Sequence, residues 1–81
     1  MLLEIISPEK KLYSGEIVSL HVPGSKGSFQ VLKNHAPIIS TLAKGVINIL
    51  DKDGQNSSFE VDGGVIEVKK NKIIVLAESS K

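Results

Sequence analysis

Gly63-Gly64-Val65-Ile66-Glu67-Val68-Lys69-Lys70-Asn71-Lys72-Ile73-Ile74-Val75-Leu76-Ala77 is the stretch on which the fold turns. Side chains alternate between the two sides of a strand, so Ile66 and Val68 share one face while Val65, Glu67 and Lys69 share the other. Lys70-Asn71 then supplies a hairpin tip, because asparagine tolerates the left-handed backbone that tight turns use. The returning segment, Lys72 to Ala77, is apolar on both faces, which sets Ile74 and Leu76 opposite the core and demands a second layer or a partner to cover them. The paired glycines Gly63-Gly64 permit a bulge or the close approach of another chain.

The same grammar extends over the rest of the chain. Strands are expected at Leu2 to Ser7, Glu16 to Val22, Ser28 to Leu32, Ile38 to Leu42, Val46 to Leu50 and Ser58 to Val61, and Lys11 to Tyr13 can add a short one. Ser7-Pro8, Pro23-Gly24 and Ala36-Pro37 interrupt the supply of backbone donors, and Asp53-Gly54 offers a second hairpin tip. Alternation assigns Val18, Leu20 and Val22 to the core and Ile17, Ser19 and His21 to the other face; Ile47 and Ile49 are likewise core positions. No segment carries a helical period. Turn signals recurring every 8 to 12 residues or so describe an all-β sandwich or barrel.

With 81 residues there is room for one domain, and a chain of this size buries roughly 60 to 65% of the surface it exposes unfolded. The formal charge of +1 is too small to create the field that nucleic acid or an anionic membrane surface requires. Tyr13, Phe29 and Phe59 are the only aromatics, too few for the stacking platforms of a single-strand-binding barrel. The absence of cysteine excludes a disulfide framework and a thiolate nucleophile. The apolar runs are far shorter than the roughly 20 residues of a membrane-spanning helix, and Met1 leads into Leu2-Leu3 without a basic segment, so neither a transmembrane helix nor a signal peptide is expected.

Candidate chemistry is sparse. Pro23-Gly24-Ser25-Lys26-Gly27-Ser28 invites comparison with a phosphate loop, but it lacks the required spacing and leads into a strand where that motif opens a helix. His21 and His35 have no local partners at metal-ligand spacing, and no serine occupies a nucleophile elbow. Glu60, Asp62 and Glu67 read as solvated strand residues. No catalytic, cofactor-binding or metal-binding residue is assigned. Lys52, between Asp51 and Asp53 at a hairpin tip, suggests a lipoyl- or biotinyl-type carrier domain as an alternative, although both aspartates also fit ordinary turn chemistry.

Taken in order, Pro23-Gly24, Gly27, Asn34-His35-Ala36-Pro37, Leu42, Gly45-Val46-Ile47, Phe59, Gly63-Gly64-Val65-Ile66-Glu67-Val68, Asn71 and Val75-Leu76-Ala77-Glu78 resemble the epsilon subunit of F-type ATP synthases over nearly the whole chain. The resemblance implies a two-sheet β-sandwich of about ten short strands, a non-catalytic component of the rotor bound to the gamma subunit of the central stalk and resting on the c-ring. It implies coupling of ion flow to ATP synthesis, membrane contact only through the complex, and a peripheral place on the cytoplasmic face of the bacterial plasma membrane. By the same resemblance His35, Ala36, Pro37 and Ser40 fall where gamma is contacted, and Ser25, Lys26, Gly27, Ser28, Phe29 and Gln30 form the loop that faces the ring. Gln30 stands where the family often has glycine, and Lys33 where proline is frequent. Longer members continue into an inhibitory two-helix hairpin; with this chain stopping at Lys81, the implied module is a single domain over residues 1–81, a clamp without that brake.

Overall fold

The computed structural model describes residues 1–78. They form eight strands: β1 Leu2–Ile6, β2 Lys11–Val22, β3 Phe29–Leu32, β4 Ile38–Leu42, β5 Gly45–Asp51, β6 Asn56–Val61, β7 Gly64–Lys69 and β8 Lys72–Ala77. Their order in space is β4-β7-β8-β1-β2-β5-β6, with β3 added on β2. The expected strands are present, most within a residue or two of their expected bounds. Eight stand among the described residues where the resemblance implied about ten, and one of them, β2, serves twice. Its first half pairs with β1, and its second half pairs with both β3 and β5. Lys11 to Tyr13 is therefore the beginning of β2 and not a strand of its own.

β2 bends where it changes partners. Its pairing with β5 slips between Ile17 and Ser19, and the extra residue of such a bulge shifts the in-out alternation by one. Before the slip the inward positions are odd-numbered, with Tyr13 opposite Ile5 and Gly15 opposite Leu3. After it they are even-numbered, with Leu20 and Val22 fully buried. Two expectations are corrected by this single bulge: Ile17 belongs to the core, and Val18 lies outside it, 50% exposed.

The curled sheet closes its two halves on one core of Leu3, Ile5, Ile17, Leu20, Val22, Val31, Leu42, Ile47, Ile49, Val61, Ile66, Val68, Ile73, Val75 and Ala77. Tyr13 and Phe59 meet edge to face near its margin, with ring centroids 5.9 Å apart, a geometry that adds to area burial. Both expected hairpin tips are present, Gly54 and Asn71 supplying positive φ values of 83° and 59°. Gly63 and Gly64 also lie at positive φ. A Cβ on Gly64 would collide with the carbonyl oxygen of Leu76, so glycine there admits the close approach of the chain's own strand β8.

Candidate docking surface

The outward face of β4, β7, β8 and β1 is built by register. Ile39, Glu67, Ile74 and Glu4 stand side by side in one row, and Thr41, Val65, Leu76 and Ile6 in the next. The β1 side is ionic: Glu4 accepts from Lys11 at 3.1 Å and from Lys72 at 3.4 Å. The Lys11 hydrogen bond and charge, reinforced by Lys72, hold the Glu4 carboxyl below its ordinary range. The β4 side is apolar. Ile39 is 74% exposed and Leu76 52%, with Val65 between them and Ile74 half-buried beside them. Single exposed apolar residues are commonplace, whereas a contiguous group marks an interaction surface.

Three depressions join along this face. Ile39, Val65, Glu67, Ile74 and Leu76 line one of about 190 Å³. Pro37, Ile38, Ile39, Glu67, Val68 and Lys69 line the next, of about 480 Å³. The third, about 350 Å³, lies at the end of the sandwich among Met1, His35, Ala36, Pro37, Lys70 and Asn71. Neighbouring depressions share lining residues, Ile39 and Glu67 in one case and Pro37, Val68 and Lys69 in the other, so they form one continuous track.

His35, Ala36 and Pro37 are brought together at this pole by a turn in which Asn34 adopts a φ of 68°. The His35 backbone N–H donates to the Leu32 carbonyl at 3.1 Å. Its ring Nδ1 lies 2.7 Å from the Ala36 carbonyl; a carbonyl only accepts, so Nδ1 carries a proton and the ring is fixed with Nε2 turned away from that bond. Ser40 is placed apart from the other three: it stands opposite Ile66 on the inner side of β4, half-buried. Its outward neighbours are Ile39 and Thr41. Sequence reasoning did not single out Ile39 or Val65, although Ile38-Ile39 and Val65-Ile66 are adjacent apolar pairs whose members cannot both face one core.

Of the Ser25 to Gln30 stretch, Ser25 to Ser28 sit at the opposite pole between β2 and β3, and Phe29 and Gln30 open β3. The loop is tied to β4, since the Ser25 N–H donates to the Thr41 carbonyl at 3.0 Å and the two hydroxyls lie 2.7 Å apart. Ser25, Lys26, Gly27 and Ser28 are exposed at the tip, while Phe29 is half-buried against the core. A Cβ on Gly24 would meet the Gly27 carbonyl at 2.6 Å and the Phe29 ring at 2.8 Å, so glycine there lets the ring tuck under the loop. Gln30 belongs to β3 and pairs with His21, which removes it from the tip.

Elsewhere, Lys52 does occupy a hairpin tip, but Asp51 is engaged by the turn itself, its Oδ1 accepting from the N–H of Asp53 at 2.8 Å and of Gln55 at 2.9 Å. Among the described residues no three His, Cys, Asp or Glu side chains converge on a metal-sized site, and no helix is long and apolar enough to cross a membrane.

Comparison with known proteins gives a consistent result. The model of the ATP synthase Delta/Epsilon chain beta-sandwich domain matches residues 1–81. An ATP synthase epsilon chain of Leptospira borgpetersenii serovar Hardjo-bovis (strain JB197) is 49% identical over 76 residues, 94% of this chain and 59% of the relative. One from Chlorobium limicola is 41% identical over 76 residues, 94% of this chain and 86% of the relative. The chain thus spans about 59% of the length of the first of these relatives. A chain of the Euglena gracilis mitochondrial ATP synthase superposes over 100% of this chain and 52% of its own with a TM-score of 0.90 at 14% identity. One from the Tetrahymena thermophila mitochondrial ATP synthase central stalk and c-ring gives 0.81 at 15% identity, over 100% of this chain and 65% of its own. At such identities the two superpositions speak for the fold.

Proposed function

Because the chain belongs to the family of ATP synthase Delta/Epsilon chain β-sandwich domains, we propose that it is a non-catalytic rotor subunit that clamps the gamma subunit to the c-ring and couples ion flow to ATP synthesis. The complex would hold it peripherally at the cytoplasmic face of the bacterial plasma membrane. The observation that carries the reading is the uncovered apolar track on β4, β7 and β8, which supports docking and offers no chemistry of its own. Gamma is assigned to this track and to His35, Ala36 and Pro37 at its end. The Ser25 to Ser28 tip, at the other pole, is assigned to the ring. Two opposed contacts on one stiff body are what a component that transmits torque requires.

An interface of standard size covers about 800 Å² per partner, roughly a sixth of the 4896 Å² that this protein exposes.

The test is reconstitution. Added to an ATP synthase depleted of its epsilon subunit, the protein should bind and restore ion-coupled ATP synthesis, and Ile39→Asp should keep its thermal melt and lose both. Failure of the wild-type protein to bind gamma, or full activity of the Ile39→Asp variant, overturns the assignment. Intact mass settles the carrier alternative: a lipoyl- or biotin-sized addition on Lys52 would replace the rotor reading.

A further inference from the structure

The track is not uniform along its length. Its middle is apolar, but at the His35 pole Met1, Ala36, Pro37 and Val68 line a cleft shared with Lys69, Lys70 and Asn71. Two of the positive charges near it are already matched. The Met1 ammonium lies 3.2 Å from Glu16, and Lys72 lies 3.4 Å from Glu4. Lys69 is only loosely held, 4.0 Å from Glu67. Lys70 has no ion pair among the described residues, nor does Lys33 in the adjoining turn. The cleft therefore carries an excess of positive charge over an apolar lining, with the fixed His35 ring beside it.

We infer that the partner segment lying on this face is apolar along the β4-β7-β8 trough and acidic where it reaches the pole, a carboxylate entering the cleft beside Lys69 and Lys70. The inference rests on the docking reading above and adds to it a direction: the charged end of the occupant is at the His35 pole. From Val65 to Lys70 the track runs about 17 Å at roughly 3.3 Å per residue, so apolar and acidic anchors on one segment are separated by about that distance. Ion pairs at a solvent-exposed rim act chiefly on the rate and selectivity of association and are weakened by salt. An acidic end thus sets the orientation in which the apolar stretch arrives.

The experiment measures binding of the full chain to an immobilised ATP synthase F1 sector depleted of its epsilon subunit, at low and high salt. Lys69→Glu/Lys70→Glu is expected to bind about tenfold or more weakly at low salt, mainly through slower association, with the deficit shrinking at high salt. Lys70→Gln should shift binding the same way by less. Lys10→Glu, an equal charge change per residue in the β1–β2 turn, serves as control and should stay near wild type. Thermal melts confirm that each variant is folded. If the double variant binds like wild type, or Lys10→Glu loses as much as Lys70→Gln, the acidic-end inference fails while the docking reading survives. If wild type itself does not bind, the docking reading fails first.

Discussion

Truncating Ile17, Val18 and Leu20 to alanine one at a time tests the β2 bulge directly. Simple alternation puts Val18 and Leu20 on the same face and Ile17 on the other, whereas the structure buries Ile17 and Leu20 and leaves Val18 50% exposed. Leu20 is fully buried between Val31 of β3 and Ile49 of β5, so Leu20→Ala loses its transfer energy and leaves a cavity, about 2–5 kcal/mol together. Ile17→Ala should fall in or near that range. Val18→Ala removes a half-exposed side chain with a high strand preference and should cost under about 1 kcal/mol. A domain of this size has about 4–12 kcal/mol of stability in all, and each kcal/mol moves its melting temperature by about 4–8 °C. A loss of about 3 kcal/mol thus reads as a fall of about 12–24 °C, well separated from the Val18 variant. Urea titration of the three variants gives the free energies directly. If Val18→Ala costs as much as Leu20→Ala while Ile17→Ala is mild, alternation runs through β2 unbroken and the bulge is refuted.

Gly64→Ala should be destabilised by more than the roughly 1–3 kcal/mol of a strained backbone alone, because its φ of 151° is compounded by collision with the Leu76 carbonyl; a melt within about 2–3 °C of wild type, roughly half a kcal/mol, would refute that packing. Glu4, held below its ordinary value of 4.5 by Lys11 and Lys72, contributes stability that is complete above that value and is lost as pH falls through its lowered pKa. Chemical denaturation of wild type and Glu4→Gln should therefore converge in acid, and a gap that stays constant with pH would show the ion pairs to be idle. Tyr13 is raised above 10.0 by burial and then by the Asp51 charge, so its contribution is intact below that pH and is lost as pH rises through the raised pKa. Tyr13→Phe should flatten the alkaline limb of the stability curve; an unchanged limb would place the destabilisation elsewhere.

The features of this molecule that were legible in the sequence are those decided by neighbours in the chain. Ile66 against Glu67, Ile47 against Asn48, and the turn chemistry of Asp53-Gly54 and Lys70-Asn71 specify strands and tips within a few residues. The Ile17–Val18 slip was not legible, because a bulge is defined by the partner strand and Val18, Leu20 and Val22 alternate in the sequence without a visible break. The continuity of β2 was hidden for a similar reason: Ser14-Gly15 looks like an interruption, yet the Tyr13 side chain lies over Gly15, its hydroxyl 3.3 Å and its ring 3.6 Å from where a Cβ would stand. At the candidate site, the His35-Ala36-Pro37 turn was singled out through family resemblance. The track was only half visible, in the two apolar faces of β8. Its other wall, Ile39 and Val65, required knowing that β4 and β7 are adjacent, and Ser40 required knowing which way β4 faces.

The parallel pairing of β1 with β8 has a mechanical meaning. Leu2 through Ile6 lie in step with Lys72 through Leu76, and the two strands run the same way through the middle of the sheet. Force that draws the Leu2 end of β1 and the Ala77 end of β8 toward opposite poles loads all of these residue pairs at once, in shear, where a hairpin pulled at its open end would unzip pair by pair. A body spliced in this way resists being stretched between its poles without further reinforcement, and it fails only when the whole seam slides together.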